Sequence, residues 1–142
     1  MSSSRATIVY DAVCDVVGTL DPAPRLVEGL TPITGRERLV CVVPVSLYRR
    51  DGGSDGQEHI LSLLLAVGSV LAAAAGGRLF DQVCDDADRL WTALDTAAAL
   101  QPGGSAGVQR LIRKGVDFIY EGTGTGGRPC GALLRIDVHW RQ

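Results

Sequence analysis

The chain has 142 residues, 46% of them apolar and 21% charged. That suffices for one domain spanning residues 1–142 with a buried core, and it is too apolar for a disordered chain. Fourteen basic against sixteen acidic residues leave a net charge of −2, which gives no electrostatic footprint for sequence-specific nucleic-acid binding.

The first predicted element is a helix over residues 4–20. Ser2, Ser3 or Ser4 can cap it, and Ala6, Val9, Val13, Val16, Val17 and Leu20 recur at helical spacing. Asp11 and Asp15 interrupt the apolar character, so no secretory leader is expected here. Asp21-Pro22-Ala23-Pro24 stops the helix, and residues 25–37 read as a loop with Gly29, Pro32 and Gly35.

Leu39 to Tyr48 is β-branched and aromatic and predicts a strand, with Pro44 marking an edge or a bulge. Asp51 to Gly56 is turn chemistry throughout. A second strand is expected from about His59 to Val70, with Leu61, Leu63, Leu65 and Val67 on one face; leucine and alanine also suit a helix there. The surrounding apolar run, Ile60 to Ala75, is diluted by Ser62, Gly68 and Ser69 and falls short of the roughly 20 apolar residues a spanning helix needs, so no membrane partner is expected.

Residues 80–99 predict a second helix with Val83, Ala87, Leu90, Trp91, Leu94 and Ala98 on one face. Asp81, Asp85, Asp86 and Asp88 crowd its first two turns, where the helix dipole favours negative charge. Gln101-Pro102-Gly103-Gly104 ends it. Val116, Phe118 and Tyr120 then alternate with Asp117 and Glu121; Ala132 to Trp140 alternates with Arg135, Asp137, His139 and Arg141. Both are strands with one covered and one wetter face. The predicted order is helix, strand, strand, helix, strand, strand. The predicted fold class is α+β, an antiparallel sheet with helices packed on one face.

The glycine run Gly122 to Gly127 could in principle grip a phosphate. It has no following lysine, does not match GxGxxG, and leads into a strand rather than a helix, so it reads as a hairpin tip. Cys14, Cys41, Cys84 and Cys130 are widely spaced with no CxxC, and with His59 and His139 they offer no zinc-ligand spacing; they read as reduced, mostly buried thiols. Asp85, Asp86 and Asp88 read as a solvated acidic helix start rather than a metal cluster, and Trp91 as core. Gly68-Ser69 lacks the frame of a nucleophile elbow. No catalytic, cofactor-binding or metal-ligating residue is assigned.

The helix, Pro/Gly loop, hairpin, helix and closing hairpin, with Val116-Asp117-Phe118-Ile119-Tyr120-Glu121 and Leu133 to Trp140 as the closing strands, resemble the tail-terminator family of long-tailed bacteriophages, the minor tail protein U type. The resemblance covers nearly the whole chain as an element order; its residue-level part is confined to the last thirty positions. It implies a structural virion protein of the tail or neck, assembled in the host cytoplasm, without catalytic residues or cofactors. Its implied partners are its own copies, typically in a ring of six, the tail tube protein and a head–tail connector or stopper protein. The hairpin tips at 51–57 and 122–129 then become candidate subunit contacts. Arg49, Arg50, Asp55, Gly124 and Arg128 are the residues singled out there, and Trp140, on the apolar face near the end of the last strand, either covers the core or reaches a neighbour as a further contact candidate. Two alternatives remain at this stage. One is a small α+β enzyme using His59 or His139 with a nearby aspartate, Asp137 in the case of His139. The other is a ligand-binding module with the sheet edge at Pro44 as its site.

Overall fold

A computed structural model describes residues 4–20, 24–28, 39–51, 56–68, 79–121 and 128–142. Helix α1 spans Arg5–Gly18, β1 Arg25–Glu28, β2 Leu39–Asp51, β3 Gln57–Gly68, α2 Leu79–Thr96, β4 Arg110–Glu121 and β5 Arg128–Arg141. The five strands form one sheet in the order β1-β2-β3-β5-β4. The fold is α+β, as the periodicities imply.

The sheet is mixed rather than purely antiparallel. Residues 25–28, expected to lie in a loop, form β1, which runs parallel to β2 with Arg25 opposite Leu39 and Glu28 opposite Val42. The other pairings, β2–β3, β3–β5 and β4–β5, are antiparallel. Four residues between Pro24 and Gly29 are too few to show a period; what makes them a strand is the ladder offered by the outer edge of β2, which the local sequence does not encode.

Ser4 caps α1, its hydroxyl accepting from the Thr7 backbone N–H at 3.2 Å. Val9, Val13 and Val17 are fully buried against the sheet, on the face that helical spacing predicted. From α2, Leu90 and Leu94 join the same core, while Val83 and Ala87 pack with Ala132 in a neighbouring cluster. The sheet answers with alternate residues: Val40 and Val42, Leu61, Leu63, Leu65 and Val67, then Leu134, Ile136, Val138 and Trp140. Both helices therefore cover one face of the sheet. Each fully buried leucine contributes about 1.5–3 kcal/mol of transfer free energy, so this layer is the main stabilising element. On the opposite face, Leu39, Cys41 and Ala66 form a smaller buried cluster.

Helix α2 stops at Thr96, earlier than the expected 99, and Ala98–Leu100 tighten into a 3-10 turn. Gly104 follows, where a Cβ would lie 2.8 Å from Ala99 O, 2.9 Å from Gln101 O and closer still to Ala98 O, so the turn admits only glycine. Strand β4 begins at Arg110, six residues before the alternation first marked at Val116, because a register shift between Arg113 and Gly115 breaks the period. A second shift, between Pro44 and Ser46 of β2, realises the bulge that Pro44 announced. Cys14, Cys41, Cys84 and Cys130 form no disulfide.

Candidate functional site

The sheet face without helices carries a row of charged residues across four strands. Arg50 on β2 lies directly opposite Glu58 on β3, and His139 on β5 lies directly opposite Arg110 on β4. Because Glu58 pairs with Arg141 and His139 with Ile60, Glu58 and His139 meet on the diagonal. His139 Nδ1 donates to Glu58 Oε1 at 2.8 Å; a carboxylate can only accept, which fixes the proton on Nδ1. Arg50 grips the other oxygen, Oε2, through Nε at 3.1 Å and Nη2 at 2.5 Å, and Arg110 Nη2 stands 3.5 Å from Oε1.

Glu58 and His139 are buried, at 7% and 4% exposure, beneath the two exposed arginines. The His139 hydrogen bond, then that of Arg50, holds the Glu58 carboxyl well below the usual range, at about 2. Farther along the same face Ser62 Oγ donates to Asp137 Oδ1 at 2.7 Å, Lys114 approaches Asp137 at 3.5 Å, and Arg135 approaches Asp117 at 3.4 Å. Ser62, Asp137, Lys114 and Arg135, with Val45 and Leu64, bound a groove of about 560 Å³ at the level of the register shifts at Pro44/Ser46 and Arg113/Gly115.

The candidate contact residues fall in different places. Arg49 is exposed near the end of β2, opposite His59, and forms no ion pair among the described residues. Arg50 is exposed but committed to Glu58. Arg128 pairs by its backbone with Glu121 at the start of β5. Asp55 and Gly124 lie outside the described residues. Trp140 is a correction: at 1% exposure it is core, stacked on His59 with ring centroids 5.4 Å apart and planes 11° from parallel, and it presents no surface to a neighbour.

The histidines do not form a joint site. His59 faces the helical layer and His139 the opposite face, and Nε2 of His139 is enclosed with no hydrogen-bond partner among the described residues. The expected His139–Asp137 partnership is not made, since Asp137 turns to Ser62 and Lys114. Glu58 takes its place. It was missed because only the β3–β5 register, not any motif, brings it to His139. Trp91 is half-buried against the core with the Arg113 guanidinium 5.8 Å over its ring. Among the described residues no group of three or more His, Cys, Asp or Glu could hold a metal ion. No helix among them is long and apolar enough to cross a membrane.

Exposed apolar side chains gather in two unlike places. Val45, Leu47 and Tyr48 line the distal half of β2, beyond the four residues that β1 covers. Phe80 at the start of α2 and Phe118 on β4 meet at 5.1 Å between centroids, with Tyr120 exposed farther along β4. The surface thus carries two unlike exposed apolar stretches and an arginine-covered ionic row. No protein-family model matches the chain, and no curated protein is significantly similar to it in sequence.

Proposed function

We propose that this chain is a structural, non-catalytic virion protein of the tail-terminator kind, which assembles as a ring, caps the tail tube and presents a docking surface to the head-side connector or stopper protein. The observation that carries the assembly part is a pair of unlike exposed apolar stretches: the uncovered half of β2, where Leu47 and Tyr48 emerge on opposite faces beside Val45, and Phe80, Phe118 and Tyr120 at the β4 side. Two different patches favour head-to-tail contacts, and head-to-tail contacts close into rings when the rotation allows. The terminator reading rests on the resemblance of the closing hairpin and of an element order to which β1 is added, and about six copies is the expectation it brings.

Light scattering and negative-stain microscopy of the purified chain test the reading, together with addition of the chain to growing tail tubes. Rings that halt tube growth support it. A chain that stays monomeric at high concentration and leaves tube growth unchanged sinks it. The enzyme alternative has less in its favour, because Nε2 of His139, the atom that would exchange a proton with a substrate, is enclosed.

A further inference from the structure

We infer that the helix-free face of the sheet is the seat for helix α2 of a second copy of this chain. The inference rests on the ring-forming reading and specifies which surfaces meet.

The two layers of the molecule carry opposite charge. Helices α1 and α2 hold seven aspartates against two arginines. On strands β2 to β5 the described residues of the helix-free face include five cations, Arg50, Arg110, Lys114, Arg135 and Arg141, against three carboxylates, of Glu58, Asp117 and Asp137. Three of those cations are themselves exposed and make single long ion pairs, at 3.4 Å for Arg135, 3.5 Å for Lys114 and 3.5 Å for Arg110, pairs that leave them open to a further partner.

The outer stripe of α2 matches this face in chemistry and in length. Asp81, Asp85, Asp88 and Asp95 are all exposed and fall within about 80° of one another around the helix, opposite the buried Val83, Leu90 and Leu94. Asp85 and Asp95 form no ion pair among the described residues. From Asp81 to Asp95 the helix rises about 21 Å. Along β5, Arg135 to Arg141 spans about 20 Å, so both ends of the stripe reach a cation at once.

The sheet face has a groove of about 560 Å³ beside Val45 and Leu64, with Ser62 and Asp137 in its lining and Lys114 and Arg135 at its flank. With the N-terminal end of the stripe over that groove, Asp81 and Asp85 approach Lys114 and Arg135, and Asp95 approaches the arginines at the far end. Opposite charges facing one another across a contact set its register and its choice of partner. The two surfaces differ, so the contact is head-to-tail and leaves each copy with one used and one open face until a ring closes.

The test uses the full chain and light scattering at several concentrations, with circular dichroism to confirm folding. One variant carries Lys114→Glu and Arg135→Glu, a second Asp85→Lys and Asp88→Lys, and a third all four changes. Either reversal alone is expected to weaken self-association by about tenfold or more, and the fourfold variant to recover most of that loss. Assembly in wild type that both reversals leave unchanged overturns the inference and leaves the ring reading standing. Loss of assembly in the reversals without recovery in the fourfold variant also overturns it, since the faces would not be partners. A wild-type chain that never associates and never caps a tube removes the ring reading and this contact together.

Discussion

At the scale of single residues, Glu58 is a tightly constrained charge, held by His139 and Arg50 and with its carboxyl lowered to about 2. The consequence for stability has a definite sign. Between about pH 4.5, the ordinary value, and about pH 2 the unfolded chain takes up a proton that the folded chain refuses. The contribution of Glu58 is therefore complete above about pH 4.5 and is lost as pH falls towards 2. Urea denaturation from pH 7 to pH 2 should show this loss in wild type, and Glu58→Gln should be less stable at neutral pH and lack this part of the slope. An identical acid slope in both proteins would contradict the assigned role. Trp140 makes the opposite kind of residue. Its indole is buried and stacked on His59, so Trp140→Ala should cost about 3–5 kcal/mol in chemical denaturation. The folded fraction should still associate as wild type does. At Gly104 the neighbouring carbonyls leave no room for a Cβ, and Gly104→Ala should cost about 1–3 kcal/mol, read as a lowered denaturation midpoint.

At the scale of elements, the helices were legible in the sequence because their buried faces repeat without interruption. Val9, Val13 and Val17 in α1 and Val83, Leu90 and Leu94 in α2 lie where the 3.6-residue period puts them. Leu90→Ala should accordingly lower stability by about 2–5 kcal/mol, measured by urea unfolding, as expected for a leucine at the bottom of the core. Strand β3 was legible but ambiguous. It lies between β2 and β5, and near Ala66 and Val67 both of its faces are covered, so its sequence is apolar on both sides. Strand β1 and the first half of β4 were not legible, for different reasons. One is four residues long and exists through its pairing with β2; the other has its alternation reset by a register shift before Gly115. The ionic row was hidden for a third reason. Arg50, Glu58, Arg110 and His139 come from four strands, and no local pattern states the register that aligns them.

At the scale of the whole molecule, the helices bury one sheet face, while Val45 and Tyr48 remain 63% and 62% exposed near the outer edge. Exposed apolar residues concentrated on one strand serve association better than they serve the monomer. Val45→Asp combined with Tyr48→Ser should change monomer stability by no more than about 0.5 kcal/mol, yet weaken self-association measurably in sedimentation or light scattering. Unchanged association would exclude this part of β2 from the subunit contact.

The sheet order also sets a timetable for folding. Strand β5 enters between β3 and β4, although it comes after both in the chain. Until residues 128–141 have left the ribosome, β3 and β4 have no strand to join them, and the helix-facing core lacks Leu134, Ile136, Val138 and Trp140. The nascent chain therefore waits with β3 as an apolar edge, the kind of intermediate in which aggregation competes with folding. Chains released before Arg128 should be recovered as aggregates or degraded, while the same polypeptide given residues 128–142 as a separate peptide should regain part of its native circular dichroism.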